Sequence, residues 1–134
     1  MKLIVCLDDN LGMMFNHRRQ SRDRVLIAEL LETVGDRRLF ISPYSAPLFP
    51  AGANHITVAE DPCAVAGKED YAFVENTDPT SGWARVDTVI LYRWNRLYPA
   101  DRQFHGDMTG FCLTETTEFV GSSHDRITKE VWKK

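Results

Sequence analysis

The chain has 134 residues, of which 43% are hydrophobic and 26% are charged, a composition typical of one globular domain with a single core. Its formal net charge of −3 argues against a protein that coats nucleic acid or a membrane surface, because both tasks need an excess of basic residues. The first apolar run stops at Asp8 and Asp9 and is too short for a signal sequence or a membrane span. We therefore expect a single cytoplasmic domain over residues 1–134, without membrane association.

The first part of the chain predicts a strand followed by a helix. Residues 2–7 form a nearly continuous apolar run, which is typical of a strand in the middle of a sheet that is covered on both faces. Residues 21–35 predict an amphipathic helix, with Ser21 as its N-cap, Asp23 in its first turn and Gly35 at its C-terminus.

The later elements are mostly short strands. Apolar or alternating patterns predict strands at residues 38–42, 55–59, 71–74, 86–94 and 111–119. Short helical turns are expected at residues 44–49 and after Asp61, whereas residues 75–83 have turn chemistry throughout and predict no substantial helix. Residues 127–132 fit either a strand or a helix. This order predicts an α/β fold with a mostly parallel central sheet and antiparallel C-terminal strands.

Several short motifs in this order resemble those of dihydrofolate reductase, in a shortened and diverged form. The first strand is followed by Gly12-Met13, a polar loop and an acidic residue, Asp23, at the start of the first helix. Near the other end of the chain, the strand over residues 89–94 and the following Asp101 and Phe104 match the family's long strand and the motif after it. The resemblance implies a three-layer dihydrofolate-reductase-like fold.

The resemblance also implies roles for single residues. Asp23 takes the position of the catalytic acid, Ile27 that of an apolar residue against a pterin ring, and Tyr92 that of a threonine that hydrogen-bonds the acid. Tyr44 and Ser45 follow the second strand, where the family contacts its nicotinamide cofactor. The resemblance therefore implies a small-ligand-binding protein or an NADPH-dependent reductase that acts on a pterin-like or other heteroaromatic compound.

The sequence departs from the family where the cofactor phosphates would bind. The Gly-Arg motif at the end of the second strand reads Ser42-Pro43-Tyr44, and the glycine pair expected after the strand at residues 71–74 reads Glu75-Asn76. A glycine pair lets backbone approach a pyrophosphate, whereas an acidic residue repels it. The family's Pro-Trp before the acid is replaced by arginines. The resemblance thus implies a nicotinamide-cofactor site that has degenerated.

Asp23 also has an interpretation that is independent of the family. A carboxylate at a helix start beside a sheet edge can hydrogen-bond an aminopyrimidine-like group and act as a general acid or base. The alternative is an ordinary acid at a helix N-terminus, where the helix dipole favours negative charge.

The polar segment before the helix carries Arg18, Arg19 and Arg22, which are candidates for an anion clamp because guanidinium groups bind phosphate and carboxylate at two points. Such a clamp predicts binding of a phosphate, nucleotide or RNA, with nuclease action as a variant of that hypothesis. The alternatives are a solvated loop paired with nearby acids, and a non-catalytic domain whose basic loop docks on an acidic protein surface.

The remaining candidate groups predict no chemistry. The four histidines and three cysteines have no spacing typical of a metal site, so we expect solvated histidines and reduced, mostly buried thiols. Residues 122–125 contain the residue types of a nucleophilic triad, but a triad is assembled in space and four neighbours do not predict one. Strand alternation predicts that Tyr92 and Trp94 pack in the core with Ile90.

Overall fold

A computed structural model describes residues 1–134, which form ten strands and two α-helices. The elements in chain order are β1 (Lys2–Leu7), β2 (Gly12–Phe15), β3 (Arg18–Arg19), α1 (Arg24–Val34), β4 (Leu39–Ile41), β5 (Ile56–Val58), α2 (Pro62–Val65), β6 (Tyr71–Phe73), β7 (Thr88–Arg93), β8 (Arg102–Gln103), β9 (Cys112–Phe119) and β10 (Ile127–Lys133). Two 3-10 helices lie at Ala46–Leu48 and Pro79–Arg85.

Seven strands form the central sheet, in the order β5-β4-β6-β1-β7-β10-β9. The first five are parallel to one another, and β10 runs antiparallel to both β7 and β9. This arrangement confirms the predicted mostly parallel sheet with antiparallel C-terminal strands. Strand β1 lies between β6 and β7, as its continuous apolar sequence predicts.

Both faces of the central sheet are covered, which gives the fold three layers. On one face, α1 packs through Leu26, Leu30 and Val34 against residues such as Ile4 and Phe73. The opposite face carries a separate apolar cluster, formed by the sheet, α2, the 3-10 helix Pro79–Arg85 and the segments around Met13 and Phe104. Tyr92 and Trp94 lie in the α1 cluster with Ile90, which confirms their predicted burial.

A second, smaller sheet is absent from the sequence prediction. Strand β2 pairs antiparallel with both β3 and β8, so the segment around Arg18 and Arg19 is part of a β-hairpin. The strands of this sheet have two to four residues, which is too short for the alternation that predicts a strand.

Other local expectations change in detail. Asp23 is the N-cap of α1, so the prediction of Ser21 as the cap is wrong by two residues. Residues 127–132 form a strand. The turn-rich segment after β6 ends in the seven-residue 3-10 helix, which begins where Asp78 accepts a hydrogen bond from the Thr80 N–H.

Cysteine burial is mixed: all three thiols are free, with Cys63 buried, Cys6 half-buried and Cys112 exposed. No helix is long and apolar enough to cross a membrane.

Candidate functional site

The carboxyl ends of β4, β6 and β1 lie at one edge of the central sheet, where open α/β folds bind ligands. The polar residues that follow these strands include Tyr44 and Ser45 after β4, and Glu75 and Asn76 after β6. The hairpin β2–β3 reaches the same edge, because the Arg19 backbone N–H donates a hydrogen bond of 2.8 Å to the Tyr44 hydroxyl.

Arg19 and Glu75 form an ion pair at this edge. The guanidinium donates from Nε to Oε2 at 3.0 Å and from Nη2 to Oε1 at 3.1 Å, and it lies 4.4 Å from the centre of the Tyr44 ring. Ser45 Oγ donates to the same carboxylate at 2.7 Å. Burial alone lowers the pKa of Arg19, but the hydrogen bond and charge of Glu75 outweigh it and raise that pKa. The charge of Arg19 is therefore satisfied within the protein.

This ion pair removes Arg19 from the predicted anion clamp, because its guanidinium is already bound to Glu75. Arg18 and Arg22 are partnered by no acidic group within 4 Å, but Arg19 is committed to Glu75. Arg22 is exposed next to the helix cap, and Arg18 is exposed at the tip of the hairpin. Arg19 is therefore held in an internal ion pair, whereas Arg18 and Arg22 have exposed guanidinium groups.

The residues at the strand ends do not fit a nicotinamide dinucleotide. The position at which the resemblance places a glycine pair after β6 carries Glu75, a half-buried carboxylate held by Arg19 and Ser45. Ser45, the predicted cofactor contact, is fully buried and donates to Glu75. A protein carboxylate and its counter-ion thus occupy the place where backbone would have to meet phosphate.

Asp23 is a buried acceptor at the start of α1, with a relative exposure of 2%. Its carboxylate accepts five hydrogen bonds: from Val25 N at 3.0 Å, Leu26 N at 3.1 Å, Ser122 N at 2.9 Å, Ser123 N at 2.8 Å and His124 Nδ1 at 3.1 Å. Burial raises the pKa of Asp23, but these hydrogen bonds together outweigh it and hold the pKa well below its usual range. The group therefore stays ionised and fixes the helix start to the loop before β10.

The constellation predicted around Asp23 is only partly assembled. Asp23 and Ile27 border one crevice, whose volume is about 10 Å³, room for at most one water molecule. Ser45 and Tyr92 do not line this crevice. The Tyr92 side chain is fully buried, its hydroxyl donates to Glu29, and burial together with that carboxylate raises its pKa. Tyr92 therefore has no route to a ligand beside Asp23.

His124 is buried, with a relative exposure of 8%, so the prediction that all four histidines are solvated is wrong for this one. Its ring stacks on Trp94 with centroids 4.5 Å apart. Nε2 lies 3.0 Å from Ser21 Oγ and 2.9 Å from the Tyr98 hydroxyl, while Nδ1 faces Asp23. Sequence reasoning missed this cluster because Asp23 and His124 are 101 positions apart; the only signal was the Ser-His-Asp composition of residues 122–125.

Four clefts have volumes between about 340 and 700 Å³, the size of a small-ligand site, and two of them are larger than 500 Å³. One, of about 560 Å³, opens at the strand ends and is lined by Met14, His17, Tyr44, Asn76, Asp101 and Arg102. The other, of about 700 Å³, is polar, and among its lining residues are Trp94, Arg96, His124 and Arg126. No group of three or more histidine, cysteine or acidic side chains is arranged to hold a metal ion.

Comparisons with known proteins define the class of fold: the chain has a dihydrofolate-reductase-like fold. A dihydrofolate reductase from Enterococcus faecalis, solved with NADP(H) and RAB-propyl, superimposes with a TM-score of 0.70 over 98% of this chain and 94% of that one. The two sequences are 10% identical. No protein-family profile and no curated protein sequence matches the chain. The likeness establishes the fold, and the residues of the site have to be judged on their own chemistry.

Proposed function

We propose that this protein binds a small heteroaromatic ligand in the strand-end cleft and does not catalyse nicotinamide-dependent reduction. The observation that carries the proposal is the cleft of about 560 Å³ at the carboxyl ends of β4 and β6. Its volume lies within the range of small-molecule sites, and its place is where folds of this type bind their ligands.

The lining favours a planar ring with hydrogen-bonding edges. Tyr44 and Met14 supply apolar and aromatic surface. Asn76 accepts from Ser42 Oγ through Oδ1 at 2.9 Å, which leaves its NH₂ group as a donor. Asp101 accepts from the Asn16 N–H through Oδ2 at 3.0 Å, and its other oxygen is an available acceptor. Donors and acceptors beside an aromatic face match a pterin or a nucleobase.

The Arg19–Glu75 pair argues against the reductase. It occupies the strand end at which the resemblance implies cofactor phosphate, and it leaves a carboxylate there. The same pair weakens the hypothesis of an RNA-binding arginine clamp, because one of its three guanidinium groups is already neutralised. The net charge of −3 also disfavours a nucleic-acid surface.

Isothermal titration calorimetry with folic acid and with adenosine 5′-monophosphate tests the binding. We expect saturable binding of at least one of these probes below about 1 mM. Replacing the cleft residues His17 and Arg102 by alanine should weaken it at least about tenfold, a loss of about 1.4 kcal/mol. The matched control is His105→Ala, since His105 is an exposed histidine outside the cleft. Absence of binding by both probes, or equal effects of His17→Ala and His105→Ala, would overturn the proposed site.

A separate assay tests the absence of reductase activity. NADPH oxidation is followed with dihydrofolate as the acceptor, and we expect the rate with protein to equal the rate in buffer. Oxidation that depends on the protein and increases with its concentration would contradict this half of the proposal.

A further inference from the structure

His124 lines the second cleft, and with Ser21 and Asp23 it has the relay geometry of a nucleophilic hydrolase. Ser21 Oγ lies 3.0 Å from His124 Nε2, and His124 Nδ1 lies 3.1 Å from Asp23 Oδ2. These are the nucleophile-to-base and base-to-orienter hydrogen bonds that such a triad requires. The three residues come from two distant segments, so the arrangement is a product of the fold.

The hydrogen bonds of Asp23 fix the tautomer of the histidine. An ionised carboxylate can only accept hydrogen bonds. The proton of a neutral His124 must therefore lie on Nδ1, which donates a hydrogen bond to Asp23. Nε2 then has a lone pair, and it faces Ser21 Oγ. The stack on Trp94 and the burial of the imidazole hold the ring in that orientation.

Ser21 is half-buried and lies beside His124. Its side chain borders the small crevice next to Asp23, and its hydroxyl reaches His124, which lines the larger cleft. The Tyr98 hydroxyl also approaches His124 Nε2, at 2.9 Å. Only one of the two hydroxyl groups can donate to the single lone pair of Nε2 at a time, and the serine is the one that can form an acyl ester of ordinary stability.

The cleft beside His124 favours an anionic substrate. Arg96 has no acidic partner within 4 Å, and its guanidinium lies 5.7 Å from the centre of the Tyr98 ring. Arg126 faces the same cleft, and its contact with Glu118 is an exposed one at 3.8 Å. Two guanidinium groups near the imidazole can hold a carboxylate or phosphate on the substrate.

We propose that Ser21 and His124 are catalytic residues for the hydrolysis of a small carboxylic ester that carries a negative charge, with Asp23 as the positioning residue. Ser21 Oγ bonds to the acyl carbon while its proton moves to His124 Nε2. The ester C–O bond breaks, and the leaving alcohol takes that proton. Water then adds to the acyl carbon and gives a proton to Nε2. The acid departs, and the proton returns to Ser21 Oγ. No oxidation or reduction is involved.

A fluorophosphonate probe tests this proposal, because it forms a bond from phosphorus to an activated serine oxygen with loss of fluoride. Peptide mass spectrometry should find the adduct on Ser21 in the intact protein. Ser21→Ala should remove the label without changing the melting temperature by more than a few degrees, since it deletes one part-buried hydrogen bond. The matched control is Ser81→Ala, whose exposed hydroxyl lies outside the cleft and donates to Asp61; it should label as the unaltered protein does.

Two further variants separate catalysis from a structural role. Asp23→Asn keeps a good helix cap but should lower the labelling rate at least about a hundredfold, because the amide no longer fixes the tautomer of His124. Tyr98→Phe should retain labelling, since Ser21 then donates alone to Nε2. Absence of label on Ser21, or equal labelling of Ser21→Ala, would overturn the proposal. Hydrolysis of p-nitrophenyl acetate should be lost in Ser21→Ala, and an unchanged rate in that variant would contradict the proposed nucleophile.

Discussion

At the scale of single residues, Asp23 joins three parts of the molecule. Its carboxylate caps α1 through Val25 and Leu26, accepts the backbone N–H groups of Ser122 and Ser123, and faces His124. A buried charge costs free energy unless it is well hydrogen-bonded, and five donors meet that need here. The sequence predicted an acid at the start of the helix, but it contained no sign of the donors supplied from the far end of the chain.

Replacing Asp23 by alanine should therefore destabilise the protein strongly. It removes the cap and leaves buried N–H groups without an acceptor, so we expect the free energy of unfolding to fall by about 3 kcal/mol. Urea denaturation measures the change. Asp36→Ala, at an exposed acid just after the same helix, is the control and should cost less than about 0.5 kcal/mol. Similar losses in both variants would show that the five hydrogen bonds contribute little.

The same carboxylate predicts how stability depends on pH. The pKa of Asp23 is lower in the folded protein than its value of about 3.9 in an unfolded chain. Its contribution to stability is therefore complete above that pH and is lost as the pH falls below it towards the folded value. Denaturation between pH 6 and pH 3 should show a steeper loss of stability in the unaltered protein than in Asp23→Asn. Parallel pH dependences of the two proteins would contradict a lowered pKa of Asp23 in the folded state.

Gly121 shows how closely the loop approaches this carboxylate. A methyl group at residue 121 would overlap Asp23 Oδ2 and lie 2.8 Å from Ile127 Cδ1. We expect Gly121→Ala to lower the free energy of unfolding by about 2 kcal/mol. It should also slow phosphonate labelling of Ser21, because displacement of Asp23 releases His124. Calorimetry and the labelling rate measure the two effects, and an unchanged melting temperature would contradict the close approach.

At the scale of elements, the hairpin β2–β3 is fastened to the central sheet by Arg19. The Arg19–Glu75 pair joins the hairpin to the end of β6, and the Tyr44 hydroxyl accepts from the hairpin backbone. The arginines could be read from the sequence as a polar loop between β1 and α1. Their separation into one paired and two exposed guanidinium groups could not, because the partner of Arg19 is 56 positions away.

A double-mutant cycle measures this connection. Arg19→Ala and Glu75→Ala should each lower the free energy of unfolding by about 2 kcal/mol, since each leaves a half-buried charge without its partner. The double variant should cost less than the sum, with a coupling of about 1.5 kcal/mol. Additive losses would mean that the pair does not fasten the hairpin.

At the scale of the whole molecule, the long periodic segments determined what the sequence could predict. Six strands of the central sheet and α1 are predicted close to their observed bounds, because apolar runs, alternation and helical periodicity leave a pattern in the residues. The seventh, β10, is not, since residues 127–132 fit either a strand or a helix. The small second sheet has strands too short for such a pattern. The site depends on contacts between segments about a hundred positions apart, and a single sequence does not encode which distant side chains meet.

The sheet topology predicts which strands are most resistant to local unfolding. Backbone amides of β1 and β7 lie in the interior of the central sheet, while β5 lies at one edge and the small sheet lies apart from it. Hydrogen exchange should therefore be slowest in β1 and β7 and at least about a hundredfold faster in β5 and β3. Exchange measured by NMR tests this order, and comparable protection of β5 and β1 would contradict it.

The order of synthesis determines when the cap of α1 is completed. Synthesis proceeds from the N-terminus, so the helix and Asp23 leave the ribosome well before Ser122, Ser123 and His124, which follow 99, 100 and 101 positions later. Until then the carboxylate has only its two local donors, Val25 and Leu26. The start of the first helix is thus among the last parts of the molecule to reach its final form, and the Ser21–His124 pair arises only when nearly the whole chain has been synthesised.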